Sequence, residues 1–171
     1  MITVVLGGTR SGKSEVAERI AATLPAPITY VATAFVGDDP DLEARIALHR
    51  ERRPADWETI EAGPDLPKVL AALQGTALVD SIGTWIAGVP EFAVDVDALC
   101  DACRSRDGDT VFVAEEVGLA VHPPTEVGRR FVDAIGECNR KLATIADRVL
   151  LVVAGRVVEL EPFASFESFE T

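Results

Sequence analysis

The chain is poor in positive charge, and this shortage limits the partners that it can bind. Its 171 residues include 16 Lys and Arg against 28 Asp and Glu, a formal net charge of −12. A surface of this sign repels nucleic acids and anionic membranes over any long contact. We therefore expect no nucleic-acid partner, and only local binding of phosphate groups.

Long apolar runs and cysteines are also scarce. No stretch approaches the ~20 apolar residues that a membrane-spanning helix needs, and the first residues read as a strand rather than a secretory signal. These features predict a cytoplasmic protein without stable membrane insertion, and the three cysteines fit a reducing compartment. Cys100 and Cys103 form a lone C-x-x-C pair without convincing histidine partners, so we expect small apolar side chains on one helix face.

A glycine-rich run near the start is the strongest local signal in the chain. It follows the apolar residues 2–6, precedes a helical pattern, and reads Gly7-Gly8-Thr9-Arg10-Ser11-Gly12-Lys13-Ser14. This is the spacing of a P-loop, in which glycines let backbone N–H groups surround phosphate oxygens, the lysine reaches the β and γ phosphates, and the serine hydroxyl ligates Mg²⁺. The sequence therefore predicts a nucleoside triphosphate site centred on Lys13 and Ser14.

Strand and helix patterns alternate along the rest of the chain. Apolar β-rich runs predict strands at 2–6, 28–32, 57–61, 76–80, 110–116, 148–153 and 156–160. Helical spacing predicts helices at 15–24, 41–53, 65–73, 94–104 and 124–146, the last with an apolar stripe from Val127 to Ile145. Residues 81–89 read as a connection, with Trp85 in the core.

This alternation, with a P-loop at the first junction, predicts one α/β domain over residues 1–171. We expect a three-layer, P-loop NTPase-like fold with a largely parallel central sheet. An antiparallel hairpin should form its C-terminal edge, and residues 161–171 should be a loose tail.

Two predicted strands end in acids that suit the metal side of a P-loop site. Asp80 follows the buried run 76–79, and Glu116 closes the run 110–116. An acid at the end of a strand near a P-loop holds Mg²⁺ directly or through water. We favour Asp80, with Glu116 as the alternative, because the sequence does not say which strand lies beside the P-loop strand.

One histidine lies among arginines in the predicted helix 41–53. The run is His49-Arg50-Glu51-Arg52-Arg53. Charged runs of this kind are more often a solvated surface than a site, so the pattern alone assigns His49 no function. Arg129 and Arg130, near the start of the predicted helix 124–146, could contact a phosphate or a neighbouring subunit, although two arginines on a helix surface are more often solvated.

Four segments in this order resemble the adenosylcobinamide kinase/adenosylcobinamide-phosphate guanylyltransferase family. They are the P-loop, residues 44–61, the strand end Leu78-Val79-Asp80-Ser81, and Glu115-Glu116-Val117-Gly118 followed by Gly128-Arg129-Arg130-Phe131. The resemblance extends to about Leu160. It implies two steps in B12 nucleotide-loop assembly: phosphorylation of adenosylcobinamide by ATP or GTP, and transfer of GMP from GTP to adenosylcobinamide phosphate.

The resemblance also implies roles for individual residues. The family carries the guanylyl group on a histidine, which matches His49 here, while Leu48 stands where some relatives have a second histidine. Lys13 would be catalytic in both steps, with Mg²⁺ at Ser14 and Asp80. The implied nucleotide contacts, beyond the P-loop, are Ala32, Thr33, Ala34, Arg50, Glu51, Arg52, Arg53, Glu61 and Asp80. The resemblance further implies a homo-oligomer, since trimers are known in the family.

Two other functions remain open on the residues alone. One is a P-loop small-molecule kinase that lacks guanylyl transfer, and the other is a GTP-dependent regulatory switch that signals to a protein partner. Both differ from the implied function in covalent chemistry, because neither forms a GMP adduct. For the kinase step, no side chain stands out as a general base.

Overall fold

The computed structural model describes residues 1–34 and 54–162. Its strands are β1 (Ile2–Gly7), β2 (Ile28–Ala32), β3 (Glu58–Glu61), β4 (Thr76–Asp80), β5 (Thr110–Glu115), β6 (Arg148–Val153) and β7 (Arg156–Glu159). Its α-helices are α1 (Lys13–Ala21), α2 (Leu66–Ala72), α3 (Ile82–Ala87), α4 (Val96–Ser105) and α5 (Glu126–Ile145). Short 3₁₀ helices cover Gly63–Asp65 and Pro90–Phe92. The predicted helix 41–53, and the tail from residue 163, lie outside the described residues.

The seven strands form one sheet in the order β3-β2-β4-β5-β1-β6-β7. All neighbours pair in parallel except β7, which runs antiparallel to β6. The predicted parallel sheet with a C-terminal edge hairpin is therefore confirmed. Gly7, the last residue of β1, pairs in register with Glu115 on β5 and with Val152 on β6. The P-loop consequently leaves the sheet beside the end of β5.

Successive strand residues point to opposite faces, and this alternation builds two apolar layers. On one face Val5, Leu78 and Val113 pack with Ala17 and Ala21 of α1. The other face packs on α2, α3, α4 and α5 through the fully buried side chains Val4, Val79, Phe112, Leu70, Ile82, Leu99 and Ile135. Within the described ranges, one helix thus covers the first face and four cover the second, which produces the predicted three layers.

Residues 81–89 are more than a connection, because they contain helix α3. The Ser81 hydroxyl accepts a hydrogen bond from Thr84 N (3.4 Å), and Thr84 Oγ1 accepts one from Ser81 N (3.2 Å). This reciprocal capping box satisfies donors at the start of the helix. Six residues are too few to show helical periodicity, so the sequence pattern missed the helix. Trp85 is buried as predicted, and its Nε1 donates to Pro64 O (3.2 Å).

Helix α5 lies close to its predicted bounds. Thr125 caps it, since its Oγ1 accepts a hydrogen bond from Gly128 N (3.1 Å). Ile135 and Leu142 of the predicted stripe are fully buried, but Val127 is 62% exposed. The stripe therefore reaches the core only beyond the first turns, and the prediction was wrong at Val127. No helix in the described part of the chain is long and apolar enough to span a membrane.

The three cysteines are buried in the layer that α4 and α5 form, as expected for small apolar side chains. Burial raises the pKa of the Cys103 and Cys138 thiols to about 12. Such thiols stay protonated at neutral pH, so they pack as apolar groups instead of acting as nucleophiles.

Candidate functional site

The P-loop joins β1 to α1, which is the strand–loop–helix context that the motif requires. An added Cβ at Gly7 would lie 2.5 Å from Ser11 Oγ and 2.8 Å from Val152 O, so no side chain fits there. Gly12 has a φ of 94°, in the left-handed region that favours glycine. These two glycines let the chain turn sharply and place Lys13 at the first residue of α1.

The P-loop is stabilised by hydrogen bonds between its own residues and by one from the C-terminal hairpin. Ser11 N donates to Gly8 O and Lys13 N donates to Ser11 Oγ, each at 3.3 Å. Gly155 N, in the turn between β6 and β7, donates to Ser11 O (2.9 Å). The hairpin therefore supports the P-loop, although no local sequence signal predicts a contact between residues so far apart. The positive N-terminal end of α1 faces the concave side of the P-loop, and this end of a helix favours a bound anion.

Lys13 has an acidic neighbour that sequence reasoning missed. Its Nζ lies 3.6 Å from Glu115 Oε1 and 3.5 Å from Gly8 O, and the side chains of Lys13 and Glu115 are only 13% and 26% exposed. The other carboxylate oxygen, Glu115 Oε2, accepts a hydrogen bond from Gly83 N in α3 (2.9 Å). The sequence signal was present, since two acids end the 110–116 run, but only the sheet order brings this strand end beside β1.

The two predicted metal-side acids occupy different positions at this edge. Asp80 ends β4, which is separated from β1 by β5, and its Oδ2 accepts a hydrogen bond from the Tyr30 hydroxyl (3.0 Å). Glu116 follows β5, its N donates to Gly7 O (3.1 Å), and its Oε1 accepts from Gly118 N (2.7 Å). Both acids therefore lie at the carboxyl edge, and the metal-binding role of either remains a prediction.

Other predicted nucleotide contacts lie along the same edge. Ala32, at the end of β2, pairs in register with Glu61 on β3 and with Asp80 on β4. Thr33 is 3% exposed, and its Oγ1 lies 2.6 Å from both Ser81 O and Thr84 Oγ1. The sheet thus brings Ala32, Glu61 and Asp80 together, while the Thr33 hydroxyl ties β2 to the start of α3.

The structure does not describe the predicted nucleophile and its neighbouring arginines. His49, Arg50, Glu51, Arg52 and Arg53 lie outside the described residues, which stop at Ala34 and resume at Pro54.

The other two arginines have protein partners. Arg129 donates to Pro123 O (3.3 Å) and Pro124 O (3.0 Å), and Arg130 pairs with the Glu91 carboxylate. These contacts tie the start of α5 to the preceding chain.

Comparison with known proteins identifies relatives over nearly the whole chain. Residues 3–160 match the family model described as cobinamide kinase / cobinamide phosphate guanyltransferase. The bifunctional adenosylcobalamin biosynthesis protein CobP of Pseudomonas aeruginosa is 37% identical, over 94% of this chain and 98% of that protein. The bifunctional adenosylcobalamin biosynthesis protein CobU of Salmonella typhimurium is 33% identical, over 94% of this chain and all of that protein.

A solved structure shares the fold at lower identity. The flagellar accessory protein FlaH from Methanocaldococcus jannaschii superposes with a TM-score of 0.50 and 15% identity, covering 91% of this chain and 74% of that one. This likeness concerns architecture alone, whereas the family match and the two relatives rest on sequence over nearly the full length. The chain therefore belongs to the cobinamide kinase / cobinamide phosphate guanyltransferase family.

Proposed function

We propose that this protein phosphorylates the hydroxyl group of adenosylcobinamide with ATP or GTP, and then transfers GMP from GTP to the phosphate that it has made. The product of the second step is adenosylcobinamide-GDP. The observation that carries the proposal is the P-loop geometry, within a chain that matches the family model over residues 3–160. Lys13 opens α1, so its ammonium and the positive end of the helix face one anion-binding space.

The residues at the P-loop suit Mg²⁺ by their chemistry. Ser14 follows Lys13 on α1 and Asp80 ends β4, and hydroxyl and carboxylate oxygens are the ligands that this hard cation prefers. We assign Mg²⁺ to Ser14 and Asp80, with Glu116 as the alternative acid. When bound, the ion neutralises charge on the transferring phosphates.

For the second step we assign the nucleophile to His49. A neutral imidazole nitrogen attacks the α phosphorus of GTP, the bond from that phosphorus to the α,β-bridging oxygen breaks, and pyrophosphate leaves. An oxygen of adenosylcobinamide phosphate then attacks the same phosphorus and the P–N bond breaks, which frees the histidine. Arg50, Arg52 and Arg53 would stabilise the phosphoryl charge.

Further nucleotide contacts are proposed from the resemblance to the family. We assign nucleotide contacts to Ala32, Thr33, Ala34, Glu51 and Glu61, in addition to the P-loop residues. We infer a homo-oligomer, with a trimer as the expected form, in which a cleft between subunits would suit a substrate as large as a corrinoid. The three free cysteines support a cytoplasmic location.

Covalent labelling tests the proposal directly. Purified protein is incubated with Mg²⁺ and GTP labelled at the α phosphate, and the chain is then assayed for label that is acid-labile and alkali-stable, as a phosphoramidate is. The chain has two histidines, so His122→Asn is a matched control for His49→Asn. We expect label on wild type and His122→Asn but none on His49→Asn, which should keep the kinase step.

Three outcomes would contradict parts of the proposal. Absence of label on the wild-type chain would refute guanylyl transfer through an enzyme adduct, and a surviving kinase activity would then favour a simple P-loop kinase. Label that persists in His49→Asn would exclude His49 as its carrier. Loss of both activities in His49→Asn would indicate a structural role for this residue.

A further inference from the structure

Glu115 is held at the P-loop by contacts on three sides. Its Oε2 accepts a hydrogen bond from Gly83 N (2.9 Å), its Oε1 lies 3.6 Å from Lys13 Nζ, and its backbone carbonyl accepts one from Asn139 Nδ2 (3.0 Å). One oxygen is thus fixed by the start of α3, while the other faces the phosphate-binding lysine. The side chain is 26% exposed, so part of it is open to solvent.

The carboxylate lies close to the lysine that a P-loop uses to contact the transferring phosphate. A P-loop lysine contacts the β and γ phosphates of a bound nucleotide. Glu115 Oε1 is 3.6 Å from Lys13 Nζ, and a γ phosphate oxygen bound by that ammonium would lie ~3 Å from the same nitrogen. A hydroxyl oxygen between the two would reach both the phosphorus and the carboxylate.

The two proposed reactions differ in whether they need a base. The acceptor of the kinase step is an alcohol, which must lose a proton as it is phosphorylated. The acceptor of guanylyl transfer is a phosphate, which is already ionised at neutral pH. A base beside the γ phosphate therefore serves the first reaction only.

We propose that Glu115 is the general base of the kinase step, an assignment that rests on the proposed function. As the alcohol oxygen attacks the γ phosphorus, its proton moves to Glu115 Oε1. The bond between that phosphorus and the β,γ-bridging oxygen breaks, and the nucleoside diphosphate leaves with the electron pair. The proton then passes from Glu115 to solvent.

The groups that face Glu115 are compatible with this role. Lys13 of α1 is its charged neighbour, whereas Gly83 of α3 and Asn139 of α5 offer neutral amides. In the absence of nucleotide, Lys13 and Glu115 form an ion pair. A bound triphosphate supplies other acceptors to the ammonium, which leaves Glu115 Oε1 to accept the substrate proton.

A purely structural role would have a different consequence. If Glu115 only held Lys13 in position, its loss would impair both reactions, because both use the same P-loop. If it is the base, its loss impairs the kinase step and spares guanylyl transfer. Comparing the kinase rate with the guanylyl-transfer rate of a Glu115 variant therefore distinguishes a general base from a residue that only positions Lys13.

The experiment uses Glu115→Gln in the full-length protein. The amide oxygen of glutamine can still accept the hydrogen bond from Gly83, but the side chain no longer takes a proton. Kinase kcat is measured with adenosylcobinamide and ATP, and guanylyl transfer is measured separately with adenosylcobinamide phosphate and GTP. We expect kinase kcat to fall by about 10²–10⁴-fold, the usual range for a lost general base, with the nucleotide KM and guanylyl transfer unchanged.

Glu137→Gln is the matched control, because Glu137 is exposed on α5 and its partner is Lys141. We expect wild-type rates for both steps in this variant. A kinase rate for Glu115→Gln equal to that of the control would overturn the inference, and so would equal losses in both steps. A wild-type protein without kinase activity would refute the proposed function instead.

Should Glu115→Gln fold poorly, Gly83→Ala serves as a second variant, because it displaces the same carboxylate without removing it. Equal losses in both steps of Gly83→Ala would again overturn the inference.

Discussion

The contact between Gly83 and Glu115 allows the position of the carboxylate to be tested without changing the acid. Gly83 is buried near the start of α3, and an added Cβ would lie 2.2 Å from Glu115 Oε2 and 2.9 Å from Glu115 Cδ. Ordinary van der Waals contact begins near 3.4 Å. In Gly83→Ala the carboxylate must therefore retreat by about 1 Å, and a misplacement of this size can cost about 10²-fold in rate.

The same substitution should leave the fold largely intact. The backbone at Gly83 lies outside the left-handed region, so alanine fits its conformation. The clash falls on the end of a flexible side chain, which can move more readily than backbone. Loss of the hydrogen bond to the carboxylate lowers the free energy of unfolding by about 1.5–3 kcal/mol. Replacing glycine by alanine in a helix raises it by about 1 kcal/mol. The net loss is at most about 2 kcal/mol, so we expect a melting temperature within about 8 °C of wild type.

The assay compares Gly83→Ala with Gly136→Ala, since both glycines lie on helices but a Cβ at Gly136 meets no atom within 4 Å. Kinase kcat, guanylyl transfer and thermal unfolding are measured for both variants. We expect Gly83→Ala to lose about 10²-fold in kinase kcat and to retain guanylyl transfer, with Gly136→Ala active in both steps. A folded Gly83→Ala protein with the kinase rate of Gly136→Ala would refute the reasoning, and so would equal losses in both steps.

Three further predictions follow from other parts of the molecule. Lys13→Ala should abolish both kinase activity and α-phosphate labelling, because one ammonium serves both nucleotides; survival of either activity would contradict a shared P-loop. Arg106→Met removes donors to Gly75 O (2.7 Å), Asp109 O (2.7 Å) and Thr110 Oγ1 (2.8 Å), and should lower the free energy of unfolding in urea by about 2–4 kcal/mol, so a loss below about 1 kcal/mol would contradict it. Because burial raises the pKa of the Cys103 and Cys138 thiols from 9.0 to about 12, the folded chain keeps protons that the unfolded chain releases above pH 9. Urea unfolding should therefore show stability falling from about pH 9 towards pH 12, and Cys138→Ala should flatten this fall; an unchanged slope would contradict it.

Local patterns predicted much of the fold. Apolar, β-rich runs located all seven strands of the described residues, and the helical stripe located α5, because both patterns depend on residues close together in the chain. Helix α3 was missed because it is short and its capping box uses Thr84 where glutamate or glutamine is usual. Val127 was misassigned because periodicity shows which face of a helix is apolar, but not where that face leaves the core.

The candidate site also has parts that local sequence predicts and parts that it does not. The sequence by itself determined the P-loop, with Lys13 at the start of a helix, since eight contiguous residues specify that geometry. It could not decide which acid stands beside Lys13, because the order of strands in a parallel sheet depends on packing between distant segments. Only the tertiary structure decided that β5 lies against β1, and this brings Glu115, 102 residues after Lys13, within 3.6 Å of its ammonium. The same packing set Gly83 against the carboxylate and the β6–β7 turn against the P-loop.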